Sequence, residues 1–249
     1  MLSDVTQDSV FQGRVKLVQP EKGLRTSTDS LLLAASVHAK PGSHVLEVGT
    51  GCGGVLLPAA WRLAEARFTG VEQAPHLAEM ARQGAQANRM LGRVEVVTAE
   101  ASAWVAHHEN RFDAVCANPP FFRPGRVSAP AEDKAGAYLE ALPLEGWLKA
   151  MVFAAKPRAP ITILHRAAEL ARLLSLMDRW GGDLTVLPIH PRPDAPANRV
   201  LVRMRKGLRR GEVRLLPGLS VYAGKSGGAL SRELDVIKRG MALDWPPPK

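Results

Sequence analysis

Short apolar runs alternate with longer amphipathic runs along most of the chain, which is the pattern of a parallel sheet covered by helices. The short runs, which predict strands, cover residues 44–48, 68–71, 94–98, 112–117 and 159–165. The amphipathic runs, which predict helices, cover residues 29–38, 55–66, 77–88, 144–154 and 167–180. We expect Thr28 or Asp29 to cap the first helix, because both side chains can accept hydrogen bonds from backbone N–H groups.

Two later apolar runs, at residues 184–189 and 199–205, are separated only by a proline-rich loop. Without a helical crossover between them, they should pair antiparallel. The sequence therefore predicts an α/β fold in which a mostly parallel, Rossmann-like seven-stranded sheet ends in an antiparallel hairpin, with helices on both faces. We expect a single domain, in which residues 1–40 form an N-terminal extension that closes the functional site and residues 41–245 form the main part. The tail, residues 245–249, is expected to fray.

Composition is that of a globular protein, since 46% of the residues are hydrophobic and this is enough for a buried core. No apolar run approaches the ~18 residues of a membrane-spanning helix, and the polar N-terminus does not have the pattern of a secretory signal. Cys52 and Cys116 are the only cysteines, so no disulfide framework is expected and a reducing cytoplasm is the simplest location. The histidines show no metal-ligand spacing, and no metal is expected.

Charge points to a polyanionic partner, because the formal net charge is +9. Between residues 192 and 214 there are eight basic residues and two acidic ones, and a cluster of this kind favours nucleic acid over a merely solvated surface. The residues that we predict to bind RNA are Arg192, Arg199, Arg203, Arg205, Lys206, Arg209 and Arg210.

A glycine-rich turn follows the first predicted strand, and two interpretations fit it. Gly49, Gly51 and Gly54 have the spacing of a dinucleotide-binding turn, with Glu72 about 20 residues further on to bind ribose hydroxyls. Alternatively, Glu47 with the glycines at 49, 51 and 53 has the pattern of S-adenosylmethionine enzymes. A carboxylate before the first glycine would repel a pyrophosphate but hold a positive amino group, so S-adenosylmethionine is favoured. The predicted cofactor-binding residues here are Glu47, Gly49, Thr50, Gly51, Gly53, Glu72 and Gln73.

The motif Asn118-Pro119-Pro120-Phe121 follows the fourth predicted strand, 65 residues after Gly53. Asn118 offers a side-chain carbonyl acceptor, and two prolines remove backbone donors, so that the carbonyl of Pro119 can face outward. Two acceptors beside an aromatic ring suit a planar group with an exocyclic NH2. An ordinary turn after a strand is the alternative, but the glycine turn upstream favours the catalytic interpretation for all four residues.

Three further assignments keep their alternatives. Glu100 follows the third predicted strand and is a candidate acceptor for the adenine amine of the cofactor, unless it is an exposed loop acid. Asp29 is a candidate for closing the donor end of the site and is counted, with Asn118, among the cofactor-binding residues, although helix capping explains it equally well. Cys52 and Cys116 flank the site in sequence but have no neighbours that would activate a nucleophile, and are interpreted as packing residues.

The chain as a whole resembles the bacterial tRNA1(Val) adenine-N6-methyltransferase family, in the branch common among alphaproteobacteria. The resemblance rests on the lead-in from Gly23 to Ala34, the glycine turn, Gly70-Val-Glu72, the motif Asn118 to Phe122, and the later runs Arg203 to Gly207 and Leu215 to Pro217. The lead-in and the later runs narrow the match, because the turn and the Asn-Pro-Pro motif are shared by many methyltransferases.

The resemblance implies methylation of the adenine N6 amine immediately 3′ of the anticodon in a valine tRNA, with S-adenosyl-L-methionine as cofactor and tRNA as partner. Phe121 stands where the family more often has tyrosine, and Glu47 where it more often has aspartate. Phenylalanine at this place also occurs in guanine-N2 ribosomal RNA enzymes. Glutamine-N5 methylation of a translation factor uses the same device on a planar amide, although the basic cluster argues against a protein target.

Overall fold

A computed structural model of the protein describes residues 5–120 and 143–245, and the statements below concern these residues. The strands are β1 (Val5–Val10), β2 (Val15–Pro20), β3 (His44–Val48), β4 (Arg67–Glu72), β5 (Val94–Thr98), β6 (Ala114–Ala117), β7 (Pro160–Arg166), β8 (Gly181–His190), β9 (Arg199–Lys206), β10 (Arg214–Leu215) and β11 (Leu219–Ser220). The helices are α1 (Thr28–Ser36), α2 (Leu56–Arg62), α3 (Pro75–Ala87), α4 (Ala101–Val105), α5 (Leu144–Ala154), α6 (Leu170–Met177) and α7 (Arg232–Lys238).

The main sheet has the strand order β10-β8-β9-β7-β6-β3-β4-β5, and β11 also pairs with β8. Strands β3 to β7 are parallel to their neighbours among these five, whereas β9 is antiparallel to both β7 and β8. The predicted seven-stranded, mostly parallel sheet with an antiparallel hairpin is therefore confirmed. The two-residue strands β10 and β11 extend its outer edge beside β8.

Two apolar clusters cover the two faces of this sheet, as expected for helices on both sides. One cluster joins α1, α2, α3 and α7, and the other joins α4, α5 and α6. Successive residues of β3 alternate between them, since Val45 belongs to the first cluster and Leu46 to the second. This alternation follows from the two-residue period of a strand.

Strands β1 and β2 form a separate antiparallel ribbon that the sequence did not predict. Strand β1 has no fully buried side chain. Because such a strand does not need apolar residues, its sequence contains no apolar run that would predict it. The ribbon is fixed to the end of α3 by Asn88, whose side chain accepts from the backbone N–H of Lys16 at 2.9 Å and donates to its carbonyl at 2.7 Å. The N-terminal extension is thus built partly of strands.

The predicted cap of the first helix, the bounds of two other helices and the fraying of Trp245 are wrong. Ser27, not Thr28 or Asp29, caps α1, and it forms a capping box with Ser30. The helix expected to reach residue 66 ends at Arg62, and the one expected over residues 167–180 is a short 3-10 turn followed by α6. Trp245 does not fray: it is buried, and its indole N–H donates to the carbonyl of Ser36 at 3.0 Å. The rest of the tail lies outside the described residues.

In the part of the chain that the structure describes, no helix combines the length and apolar composition needed to cross a bilayer. The same residues contain no group of three or more His, Cys, Asp or Glu side chains arranged to hold a metal ion.

Candidate active site

A pocket of about 240 Å³ lies where strands β3 to β6 end. It is at the carboxyl edge of the sheet, beside the point where the strand order reverses between β3 and β6, and this is the usual ligand position in open α/β sheets. The pocket is lined by Leu24, Gly49, Val71, Glu72, Gln73, Ala74, Leu77, Ala99, Glu100, Ala101, Asn118, Pro120 and Trp147. The topology therefore brings together the predicted residues that follow four different strands.

The glycine turn after β3 requires glycine for two separate reasons. Gly49, Gly51 and Gly53 all have positive φ, at 72°, 55° and 86°, and this region favours residues without a Cβ. Gly49 is also packed against the ring of Trp147, so any Cβ there would overlap the indole. Gly49 donates to the carbonyl of Val71 at 2.8 Å, which fixes the turn to the end of β4.

Glu47 is buried beneath this turn, and its carboxylate accepts a hydrogen bond from the hydroxyl of Thr50 at 2.6 Å. Burial raises the pKa of Glu47 to about 8; the hydrogen bonds from Thr50 and from the backbone of Leu56 oppose this rise, and the nearby charge of Glu72 adds to it. Thr50 is also buried. Neither residue is in the pocket lining, so their predicted cofactor contacts remain predictions.

Glu72 lies at the end of β4, where its carboxylate holds two loops together. One oxygen accepts from the backbone N–H of Gly51 at 2.9 Å and the other from that of Ala74 at 2.8 Å. Glu72 and the following residue, Gln73, both line the pocket. A carboxylate has about four acceptor positions, so Glu72 retains capacity for ligand hydroxyl groups.

Glu100 lines the pocket and also caps α4, so both interpretations of this residue have a basis in the structure. Its carboxylate accepts from the backbone N–H groups of Ser102 at 2.9 Å and Ala103 at 2.8 Å. Partial burial by itself raises the pKa of Glu100, but these hydrogen bonds and one from the Ser102 hydroxyl outweigh it, and the pKa is lowered overall.

Asn118 directly follows β6 and contributes the most unusual atom of the pocket. Its side-chain oxygen Oδ1 is buried and has no hydrogen-bond partner in the part of the chain that the structure describes. Pro119 is buried, whereas Pro120 is exposed and lines the pocket. Phe121 lies outside the described residues, so its stacking role stays a prediction. An unpaired buried acceptor calls for an explanation, because such groups are rare in native proteins.

Trp147, on α5, was not predicted as a site residue. Its ring packs on Gly49, and its indole nitrogen Nε1 is buried without a hydrogen-bond partner in residues 5–120 and 143–245. In the sequence it is one of several apolar residues of an amphipathic run, and nothing in that pattern separates it from the core.

Asp29 is not in the pocket lining, and its carboxylate instead pairs with Arg199 at 3.0 Å. The lead-in reaches the pocket through Leu24, which packs close to Gly51 and whose carbonyl accepts from the thiol of Cys52 at 3.8 Å. Cofactor binding by Asp29 therefore has no structural contact to support it.

The predicted RNA-binding residues do not form one surface. Arg203 is buried, with its guanidinium 4.6 Å from the ring centroid of Trp245, so its assignment as an RNA contact is wrong. Arg199 faces Arg166 at the carboxyl end of β7, but Arg205 faces Pro160 at the start of that strand. Strand β9 thus carries its cations from the pocket edge to the opposite edge.

The remaining basic residues of the cluster divide in the same way. Lys206 ends β9, and Arg210 pairs with Asp178 at 3.2 Å just after α6. The backbone of Arg209 lies against Gly182 at the start of β8. Arg192 follows β8 at the pocket edge, where its guanidinium lies 5.0 Å from the ring centroid of Tyr222. Only Arg192 and Arg199 of the predicted set share the edge that carries the pocket.

Both cysteines are buried, in agreement with their interpretation as packing residues. Burial raises the pKa of Cys52 to about 11 and that of Cys116 well above its usual value. Neither thiol is therefore a thiolate at neutral pH.

A sequence match and a structural likeness both relate the chain to methyltransferases. Residues 45–129 match a family model described as a methyltransferase domain, and this range runs from β3 through Asn118. The solved structure of a predicted O-methyltransferase from Agrobacterium tumefaciens superposes with a TM-score of 0.68 at 23% identity, covering 86% of this chain and 97% of that one. At this identity the likeness establishes the fold alone, which is that of the class I methyltransferases.

Among curated proteins, the chain is similar to members of the family expected from its sequence. A tRNA1(Val) (adenine(37)-N6)-methyltransferase of Porphyromonas gingivalis strain ATCC 33277 is 32% identical over 139 residues, covering 53% of this chain and 54% of that protein. A protein of the same name from Vibrio parahaemolyticus is 24% identical over 188 residues, covering 75% and 77%. The chain spans about half the length of the first curated relatives it matches. The predicted resemblance is confirmed, and the alphaproteobacterial branch stays a prediction.

Proposed function

We propose that the protein transfers a methyl group from S-adenosylmethionine to the exocyclic N6 amine of an adenine in tRNA. The observation that carries this proposal is the unpaired Oδ1 of Asn118, buried in a pocket beside the glycine turn. A buried acceptor without a donor costs ~1–3 kcal/mol, and an amino group entering the pocket supplies the missing N–H. The adenine 3′ of the anticodon in a valine tRNA is the expected target, in keeping with the names of the curated relatives.

The residues at the carboxyl edge fit the proposed cofactor. Gly49 and Glu72 both line the pocket, and the open acceptor capacity of Glu72 suits a ligand that carries ribose hydroxyls. When bound, S-adenosylmethionine supplies an electrophilic methyl group on its sulfonium sulfur. Burial favours the uncharged, protonated form of Glu47. The positive amino group of the methionine end would favour its ionised form. Gln73 and Glu100 line the same pocket and would flank the adenine end.

The acceptor amine is held by two oxygens of the Asn-Pro-Pro motif. Asn118 Oδ1 and the carbonyl of Pro119 accept its two N–H bonds, which directs the nitrogen lone pair toward the methyl group. Positioning of this kind supplies ~7–11 kcal/mol of the barrier in favourable cases. The target base leaves its stack to reach the pocket, and Phe121 is proposed to stack on it with a contribution of ~1–3 kcal/mol.

The pocket edge is also the edge on which we propose that tRNA docks. Arg192 and Arg199 are the predicted cations found there, and the lead-in brings Leu24 over the glycine turn. We propose that residues 1–40 close the site and residues 41–245 form the methyltransferase domain. The cations at the opposite edge of the sheet are left out of the RNA surface.

The proposed reaction is tested by mass spectrometry of tRNA nucleosides from a strain lacking the protein. We expect N6-methyladenosine to be lost from a valine tRNA and restored by the wild-type gene. Loss of N2-methylguanosine from ribosomal RNA, or of N5-methylglutamine from a translation factor, would contradict the proposal and assign one of the other two acceptors.

The role of Asn118 is tested by Asn118→Ala in the purified protein. Methyl transfer to unmodified tRNA should fall by at least ~100-fold, because the amine is no longer aligned, while the Kd for S-adenosylmethionine changes little. Asn198→Ala, at an exposed position between β8 and β9, is the matched control and should retain activity. Near-normal turnover by Asn118→Ala would contradict the assignment.

A further inference from the structure

Two buried polar atoms in the pocket have no hydrogen-bond partner among the described residues, and they are of opposite kinds. Asn118 Oδ1 is an acceptor, whereas Trp147 Nε1 is a donor. Both residues line the same pocket. Each unpaired atom is costly, and a planar group that presents an N–H beside an acceptor has the donor and the acceptor that this complementary pair needs.

Trp147 is held rigidly enough for such a contact. It lies in the first turn of α5, and its backbone N–H donates to the carbonyl of Pro143 at 3.1 Å. The next residues on the buried side of the helix, Leu148 and Met151, are fully buried. The benzene end of the indole, Cη2 and Cζ3, packs on Gly49. The helix and the glycine turn therefore fix the position of the N–H.

We propose that Trp147 is a specificity-determining residue whose indole N–H donates to the acceptor atom next to the amine that Asn118 holds. The assignment rests on the proposed function. For adenine, this acceptor is one of the two ring nitrogens that flank the N6 amine, N1 or N7. Trp147 and Asn118 together then recognise a donor–acceptor edge, in the way that an Asn or Gln amide reads adenine.

The arrangement also disfavours one competing edge. Guanine carries a hydrogen on N1, beside its N2 amine, and this donor would face the indole donor. Guanine can present an acceptor only through N3, on the other side of its amine. Trp147 thus distinguishes bases by the ring atom beside the amine, which Asn118 alone does not read.

The test uses a synthetic anticodon stem-loop of valine tRNA in which the target adenine is replaced by 1-deazaadenine or 7-deazaadenine. Each analogue keeps the N6 amine and removes one ring acceptor. Trp147 is replaced by 3-benzothienylalanine, which keeps the bicyclic shape but has sulfur in place of the N–H. We expect one analogue and this replacement each to lower kcat/KM about 10-fold, as for one lost hydrogen bond in a buried site.

Combining the two changes provides the decisive comparison, because a shared hydrogen bond can be lost only once. The combined loss should equal either single loss, with the Kd for S-adenosylmethionine and the thermal midpoint unchanged. Trp147→Phe should lose at least as much, whereas Trp180→Phe, outside the pocket lining, should be neutral.

The outcomes separate this inference from the proposed function. If the wild-type protein methylates neither the unmodified stem-loop nor unmodified full-length valine tRNA, the proposed function fails and the edge assignment fails with it. If the wild type is active but the two losses multiply, or the benzothienyl variant is as active as the wild type, only the Trp147 assignment is overturned.

Discussion

The pocket at the carboxyl edge of the central sheet and the basic residues 205 and 206 at its amino edge differ in how their polar groups are paired. At the carboxyl edge, Asn118 Oδ1 and Trp147 Nε1 are buried and unpaired beside a pocket. At the amino edge, cations are bound to the protein itself. The ammonium group of Lys206 donates to the carbonyl of Ala155 at 2.8 Å, and the guanidinium of Arg205 donates to the carbonyl of Arg158 at 2.9 Å.

This difference shows that local charge and a functional site need not coincide. The amino edge holds many of the cations that the sequence assigned to RNA, yet their donors complete backbone loops. The carboxyl edge holds only Arg192 and Arg199 of that predicted set, but its pocket contains polar atoms without a partner among the described residues. Unsatisfied buried polar atoms also occur away from the pocket, at Arg93 and Asp183 near the amino edge, so a ligand is indicated by such an atom only where it also lines a pocket.

The largest expected effect is that of Gly49→Ala, which damages the carboxyl edge directly. The added methyl group adopts a disfavoured φ and overlaps the Trp147 ring, at costs of ~1–2 kcal/mol and ~1–3 kcal/mol. S-Adenosylmethionine binding should become undetectable by titration calorimetry. Gly42→Ala is the control, since Gly42 has a φ of 76° but no atom within 4 Å of the added Cβ. Equal destabilisation of both variants in urea would show that the Trp147 contact contributes nothing.

An intermediate effect is expected from the pH dependence of Glu47. Its pKa rises from 4.5 to about 8 on folding, so the folded state binds more protons than the unfolded state between these values. This group therefore makes the free protein less stable as pH rises from 4.5 to 8, by up to ~1.4 kcal/mol per pH unit. Urea unfolding at pH 5.5 and 7.5 should show this loss in the wild type and less of it in Glu47→Gln.

Glu100→Gln is the matched control for that experiment. The pKa of Glu100 is lowered on folding, so this group loses its stabilising effect only as pH falls through the acid range. The Glu100→Gln variant should keep the wild-type pH dependence of stability between pH 5.5 and 7.5.

S-Adenosylmethionine should bind more tightly to the wild type as pH rises toward 8, because the positive amino group of the cofactor favours ionised Glu47. If Glu47→Gln kept the wild-type pH dependence of the unfolding free energy and of S-adenosylmethionine binding, both expectations would be contradicted.

The smallest effect is expected from single cations of the two edges. Arg192→Gln should weaken tRNA binding ~3- to 10-fold and reduce the dependence of log K on log salt by about one. Arg205→Gln, at the amino edge, should change neither quantity. Filter binding at several salt concentrations measures both. The reverse result would place RNA at the amino edge and separate it from the pocket.

The parallel sheet was predictable because its strands are apolar on both faces and read as continuous runs. The boundaries of β5 and α5 agree with the sequence prediction to the residue. The β1–β2 ribbon was not predicted, because β1 is mostly polar and has no fully buried side chain. The glycine turn, Glu72, Gln73, Glu100 and Asn118 were all brought to one edge, since residues after parallel strands meet there.

The prediction that basic residues close in sequence form one RNA-binding surface failed on β9, because this strand runs from one edge of the sheet to the other. A strand advances ~3.3 Å per residue, so Arg199 and Arg205 are about 20 Å apart although they are close in sequence. Trp147 was not predicted as a site residue for a different reason. Its proposed role depends on contact with Gly49, nearly 100 residues earlier in the sequence. No local pattern encodes such a contact.

The buried Trp245 has a consequence for the order in which the chain folds during synthesis. Its indole bonds to Ser36, 209 residues earlier, and the backbone N–H of Leu243 donates to the carbonyl of Ala35 at 2.9 Å. Helix α1 therefore cannot complete its native surroundings until residues 243–245 have left the ribosome. Contacts of such long sequence separation form late and slow folding. Until then, the part of α1 that residues 243–245 cover in the native fold stays exposed in the nascent chain.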